Sequence, residues 1–251
     1  GGRRSGSGAY TPMNVHLDSS FPSDTREDLK AVARDVLEVV RLRMGKEAPV
    51  KMPIVCYVRP AGPMTSVASD ERTLRVGLSV TRRDYARLAY QLGHELAHVM
   101  MDPRRTNGLI EVVAVAMSLQ TLDDIGKRWQ HQAPYPEWRP YAKSFPEYRA
   151  LVEEAALSRM PNEVTDAARC ANWGHVARYL ASKRRELLQD IEQRDLQHLA
   201  AMLLRTNEVP WKQFWGLSAL TDPPPWRDKR YRDDLPLDPR RVPECLRRIG
   251  V

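Results

Sequence analysis

The most constraining feature of this chain is the pentapeptide His94-Glu95-Leu96-Ala97-His98, in which a glutamate follows the first of two histidines spaced four residues apart. Residues four apart on an α-helix lie about 40° apart around its axis, so both imidazoles can reach one metal ion. The glutamate between them stays off the metal and remains free to accept a proton. The pattern therefore predicts a helical two-histidine zinc site with Glu95 as general base and then general acid.

The residues around the motif are typical of an amphipathic helix. Apolar residues recur at helical spacing from Tyr85 to Val99, and the motif's histidines and glutamate belong to the opposite, polar stripe. Thr81 followed by Asp84 predicts a capping box at the start of this helix. Pro103 predicts its end.

A zinc site with two histidines needs a third protein ligand. The segment 107–119 is apolar almost all round, which indicates a buried helix, and Glu111 is its only charged residue. A buried carboxylate is costly unless it is paired or coordinated. We therefore predict that a short turn over 102–106 brings Glu111 to the two histidines as the third ligand.

Two kinds of alternative stay open at the level of sequence. Glu111 could instead be stabilised by free backbone N–H groups at a helix start, or by pairing with Arg104 or Arg105. The third ligand could also be another carboxylate. The candidates are Asp102, Glu153 and Glu154.

On the residues His94, Glu95, His98 and Glu111, the chain resembles the zincin metallopeptidases, and among them the gluzincins. The resemblance covers about residues 50–122 and implies Zn²⁺ as cofactor, a protein or peptide substrate, and hydrolysis of peptide bonds. No subgroup is assigned, because the gap between His98 and Glu111 is shorter than in thermolysin-like members and Val115 replaces their aspartate. The alternative is a zincin-fold regulatory or peptide-binding protein with restricted or vestigial proteolysis.

The segments before the motif predict a small sheet. Residues 53–58 are β-branched and aromatic, residues 73–80 alternate between apolar and polar, and residues 65–69 are a candidate third strand. In zincins such a sheet precedes the motif helix, and its edge strand holds an extended peptide. Ahead of the sheet, helical spacing of apolar residues predicts a helix that begins near Ser23 and is closed by Gly45.

We thus predict an α+β, zincin-like fold. It has an N-terminal helix, a small mixed sheet, the motif helix, a buried helix with Glu111, and a mostly helical C-terminal lobe. The expected parts are a flexible tail (1–20), the zincin core (21–126), a helical lobe that forms the far wall of the cleft (127–221), and an extended Pro/Arg-rich arm (222–251).

The far wall of a zincin cleft commonly supplies a histidine or tyrosine that donates a hydrogen bond to the oxyanion. No spacing selects one residue here, and for each candidate a structural role is the simpler interpretation. The candidates are His131, Tyr135, Tyr141, Tyr148, His175 and Tyr179.

Composition sets wider bounds on function. The net charge is +7, but the basic residues are dispersed among 32 acidic ones and no nucleic-acid motif accompanies them. Nucleic-acid binding is therefore not favoured, and an acidic substrate or partner surface is the sharper alternative. No apolar stretch predicts a membrane span or a secretory segment, and nothing distinguishes a secreted from a cytoplasmic location.

The cysteines do not predict a disulfide framework. Cys56, Cys170 and Cys245 are odd in number, isolated and without CxxC spacing, although one pair could still bridge. Cys56 falls in a predicted strand, where we expect it to act as a small core residue.

Overall fold

The computed structural model shows a mixed α+β fold that is mostly helical. It describes residues 14–45, 52–68, 72–104, 106, 108–172, 174–179, 182, 193–206, 209–220 and 244–248. The strands are β1 (Val15–Leu17), β2 (Ile54–Val58), β3 (Met64–Val67) and β4 (Leu74–Leu78). The α-helices with defined bounds are α1 (Arg26–Met44), α2 (Tyr85–Met100), α3 (Gly108–Gln132), α4 (Ser144–Leu157), α5 (Asn162–Arg169), α6 (Gln193–Leu203) and α7 (Glu244–Arg248), and residues 174–179 are also helical. Two 3₁₀ helices span Pro136–Lys143 and Trp211–Leu220.

The four described strands form one sheet in the order β1-β2-β4-β3. β1 and β4 both pair parallel to β2, whereas β3 pairs antiparallel to β4. Alternate residues of β2 and β4, such as Cys56 and Val76, are completely buried. The side chain of Thr65 lies on the same face of the sheet, because Thr65 pairs directly with Val76. β3 lies at one end of this strand order, so it is an edge strand of the sheet. Its face that carries Thr65 is turned toward the core.

Helix α1 forms as its apolar spacing predicts. Its buried face includes Leu29, Val32, Val36 and Val40. Gly45 ends the helix with a φ of 103°, a left-handed conformation that glycine adopts without steric cost. The predicted helix from Ser23 to Gly45 is thus confirmed apart from its first residues.

Helices α2 and α3 pack closely against each other at a glycine. A Cβ built on Gly93 would lie 2.9 Å from Oγ1 and 3.1 Å from Cβ of Thr121, so the two backbones approach more closely than any larger residue permits. Thr121 belongs to the second half of α3, and Glu111 at the start of α3 meets His98 near the end of α2. The two helices therefore run antiparallel, as the predicted short turn requires.

The C-terminal half is helical over the described residues, and α3 connects it to the sheet-bearing half. α3 runs through Gln132 without a break at 126–127 and packs against α1, α2, α4 and α6. The indole of Trp129 donates a 2.7 Å hydrogen bond to Asp35 of α1. One long helix thus shares its surface with most of the other helices.

Several local expectations differ from the structure. The N-cap of α2 is Asp84, whose carboxylate accepts from the backbone N–H of Arg87, rather than Thr81. Aspartate and threonine both accept hydrogen bonds from helical N–H groups, so residue type alone does not fix which of the two precedes the helix. The segment 131–143, whose prolines and aromatic residues predict a loop, instead contains the end of α3 and a 3₁₀ helix.

Both chain ends also differ from expectation where they are described. Val15–Leu17 form β1 within the segment expected to be a tail, and Glu244–Arg248 form α7 within the expected arm. Three residues of strand and five of helix are too short for a recognisable period. The rest of these predictions, for 1–13, 221–243 and 249–251, lies outside the described residues.

The cysteines and the helices agree with two further expectations. Cys56, Cys170 and Cys245 are all free thiols, and Cys56 is completely buried in β2, where burial raises the pKa of its thiol. Among the helices that the structure describes, none combines the length and apolar character needed to cross a bilayer.

The Gly93 contact yields a test of the helix packing. Gly93→Ala forces α2 and α3 apart, and we expect the free energy of unfolding in urea to fall by about 1–3 kcal/mol. Gly216→Ala is the matched control, because a Cβ there meets no atom within 4 Å. The double variant Gly93→Ala/Thr121→Ala should recover part of the lost stability, because it lacks the Oγ1 atom that the new Cβ would contact. Equal stability of the Gly93→Ala and Gly216→Ala proteins would refute this packing.

Candidate metal centre

The polar side chains along α2 form hydrogen bonds with other parts of the protein rather than facing open solvent. The side-chain oxygen of Gln91 accepts from the backbone N–H of Ser79 at 2.9 Å, and its Nε2 donates to the Ser79 hydroxyl at 2.7 Å. Arg87 donates to the same hydroxyl at 3.2 Å. These contacts tie the first half of the stripe to the end of β4. They set the rotation of α2 about its axis, and therefore the direction in which the next turn faces.

The next turn of the stripe carries the two histidines, and they meet Glu111 of α3. The Nε2 atoms of His94 and His98 are 3.1 Å apart, and Oε2 of Glu111 lies 3.5 Å from the first and 3.4 Å from the second. The three side chains are only 7%, 11% and 13% exposed. This largely buried group of two nitrogens and one oxygen could hold a metal ion.

The electrostatics of Glu111 keep its carboxylate ionised. Burial by itself raises the pKa of this carboxyl group, but the imidazoles of His98 and His94 outweigh burial and hold the pKa well below its ordinary value. Glu111 also lies in the first turn of α3, where the helix dipole favours a negative charge. A charged oxygen therefore faces the two histidines, as a metal ligand must.

A hydroxyl group holds the other oxygen of Glu111. Oγ1 of Thr106 donates to Oε1 at 2.7 Å, which leaves Oε2 facing the histidines. Partners of this kind orient a ligand before the metal binds. Thr106 lies in the turn between α2 and α3, so the turn both reverses the chain and supports the candidate ligand.

Glu95 projects from the same turn of α2 but contacts the sheet. Its carboxylate Oε2 accepts a 2.5 Å hydrogen bond from the hydroxyl of Thr65 in β3. The residue is only 3% exposed. The glutamate of the motif is therefore beside the histidine group but does not belong to it.

These side chains line a cleft of about 470 Å³. One wall is formed by residues 61–66, which comprise the first three residues of β3 and the loop before it. The other wall is formed by His94, Glu95, His98, Pro103, Thr106 and Glu111. Within the described part of the chain, no residue of 127–221 lines this cleft, so the helical lobe does not form the expected far wall there.

The alternative third ligands lie in other interactions. Asp102 has a φ of 79° and forms an ion pair with Arg104 in the turn. Glu153 binds Arg149 and Arg205, and Glu154 binds Arg169. Arg105 lies outside the described residues.

The six candidate oxyanion donors also lie away from the cleft lining. Tyr135, Tyr141 and Tyr148 make ring contacts with Trp138, Tyr85 and Tyr90, respectively. Tyr179 packs against the hydrophobic core. The carbonyl of His131 accepts from Arg139, and the backbone N–H of His175 donates to Asn172.

Sequence reasoning missed two polar partners, Thr65 and Thr106. Thr65 precedes Glu95 by 30 residues, and no periodicity relates a strand residue to a helix residue so far along the chain. Thr106 is five residues before Glu111, but a threonine in a turn has many roles. The only signal in the sequence was that a buried carboxylate needs hydrogen-bond donors. That signal does not specify which hydroxyl group is the donor.

Comparison of the chain with protein-family models, curated proteins and solved structures finds no match. The interpretation of the site therefore depends on its own residues and their geometry.

The Thr106 contact predicts an effect on metal binding. Thr106→Val removes the donor that holds Glu111, and we expect the affinity for Zn²⁺ in a chelator competition titration to fall about 10–100-fold. Thr106→Ser keeps the hydroxyl and should retain most of the native affinity. If the valine and serine variants bind Zn²⁺ equally well, the hydroxyl does not orient Glu111.

Proposed function

We propose that this protein is a zinc-dependent metallopeptidase in which His94, His98 and Glu111 hold the metal and Glu95 is the general base. The convergence of the three ligand atoms carries the proposal. Glu111 comes from a different helix than the histidines, so their meeting requires the α2–α3 packing and does not follow from the motif alone. The zincin-like fold and the gluzincin-like ligand set belong to the same proposal.

The distances between the ligand atoms support zinc as the metal. A tetrahedral ion with bonds of about 2.0–2.1 Å has its ligand atoms about 3.3 Å apart. The three separations here are 3.1, 3.4 and 3.5 Å. Two histidines and one carboxylate also form the ligand set of non-haem iron sites, but a nearby carboxylate base such as Glu95 suits hydrolysis.

Hydrolysis divides the chemistry between the metal and Glu95. Zn²⁺ bound at this site would lower the pKa of a bound water molecule to about 7 and polarise a carbonyl group. The Glu95 carboxylate would take a proton from water and deliver it to the leaving amine. The burial of Glu95 against Thr65 holds the carboxylate at the cleft for both transfers.

The edge strand supports a peptide as the substrate. Ala68 donates to Thr73 across the β3–β4 ladder, and hydrogen-bonded pairs alternate along an antiparallel pair. The backbone N–H and C=O groups of Thr65 and Val67 therefore point away from β4, toward the open edge of the sheet, and Thr65 itself lines the cleft. An extended peptide could pair with these groups by strand addition.

The second candidate is a zincin-fold regulatory or peptide-binding protein with restricted or vestigial proteolysis. The edge strand would serve such a protein equally well. The retained Glu95 favours catalysis, because a scaffold that only binds peptides has no need of a buried carboxylate beside its metal site.

Elemental analysis tests the metal site. We expect about one zinc per chain in the native protein and in Glu95→Gln, because Glu95 is not a ligand. His94→Ala and Glu111→Ala should each lose the metal after dialysis. Exposed His16 provides the matched control, and His16→Ala should keep native zinc. Iron in place of zinc, or no uptake of any divalent metal by the native protein, would contradict the proposal.

Proteolysis tests the role of Glu95. With the zinc-loaded protein and a peptide library read by mass spectrometry, Glu95→Gln should lower the rate of cleavage about 10²–10⁴-fold. Glu137→Gln makes the same change on the exposed surface and should cleave at the native rate. Cleavage by the native protein that is unaffected by Glu95→Gln refutes this mechanism. A zinc-loaded native protein without cleavage supports the second candidate instead.

A further inference from the structure

One hydrogen bond in the cleft connects the sheet to Glu95, the general base of the proposed reaction. Thr65 is in β3, and its hydroxyl donates to Oε2 of Glu95 at 2.5 Å. No other hydrogen bond among the described residues reaches this carboxylate. Because the Glu95 side chain is buried, a carboxylate without any donor would be costly, and a donor restricts the rotation of the carboxylate. The contact therefore selects one orientation of Glu95.

We propose that Thr65 is a positioning residue for Glu95, an inference that rests on the proposed function. The threonine hydroxyl occupies Oε2 and leaves Oε1 as the oxygen that accepts the proton. Without this donor the carboxylate can rotate about its terminal bond, whose wells are broad. Small errors in the position of a catalytic group reduce the rate strongly, so Thr65 acts on the reaction through Glu95.

The backbone and the side chain of Thr65 face two different partners. Its N–H and C=O groups point outward along the edge of the sheet, whereas its side chain lies on the face toward α2. A peptide paired with this edge would contact the same residue that holds the base. Since a side-chain substitution leaves the backbone groups in place, loss of the hydroxyl should affect kcat and spare KM.

Three variants separate this role from a structural one. Thr65→Val keeps the β-branched shape but removes the donor, and we expect kcat to fall about 10–100-fold, with KM and zinc content unchanged. Thr65→Ser restores the hydroxyl and should recover most of the native kcat. Thr73→Val is the control, because Thr73 lies just before β4 and outside the cleft lining. Its kcat should be native.

A structural readout makes the test independent of activity. In crystal structures of the metal-free variants, the Glu95 carboxylate should have its native orientation in Thr65→Ser and a different orientation in Thr65→Val. The same orientation in both, a native kcat in Thr65→Val, or equal losses of kcat in Thr65→Val and Thr65→Ser would each overturn the proposal. If the native protein hydrolyses no peptide, the proposed function fails, and the two crystal structures still decide whether Thr65 positions Glu95.

Discussion

The close packing of α2 against α3 is the constraint on which the site depends. Gly93 lets the two helices approach until Thr121 fills the space a side chain would occupy. With the axes at this separation, Glu111 reaches both histidines, and three buried polar groups stabilise one another. A wider separation would leave the buried Oε2 of Glu111 without the histidines, and an unpaired buried charge costs several kcal/mol. The group of His94, His98 and Glu111 therefore depends directly on the close packing of the two helices.

The sheet contributes the other wall and the contacts that orient α2. Ser79, which directly follows β4, binds Gln91, and Thr65 of β3 binds Glu95. These two contacts lie one turn apart on the same helical stripe, so together they fix how α2 is rotated against the sheet. That rotation turns the histidines toward α3 and the glutamate toward the edge strand, which separates the candidate ligands from the candidate base.

Periodicity predicted the elements that have long buried faces. α1, α2, β2 and β4 were located within a few residues, because each repeats an apolar pattern over its whole length. The predicted N-cap Thr81 was wrong and Asp84 caps α2 instead, since both residue types cap helices and only the backbone decides. Asp102, Glu153 and Glu154 were open alternatives until their arginine partners, set by the turn and by helix contacts, were known.

The sequence by itself determined that His94, Glu95 and His98 share a helical stripe, and that Glu111 is a lone charge in an apolar helix. Both follow from local geometry, because 3.6 residues per turn relates neighbours along one helix. Only the tertiary structure decided that Glu111 meets the histidines, that Thr106 and Thr65 hold the two glutamates, and that β3 borders the cleft. These contacts join separate elements, and their distances depend on the packing of whole surfaces, which no spacing along the chain encodes.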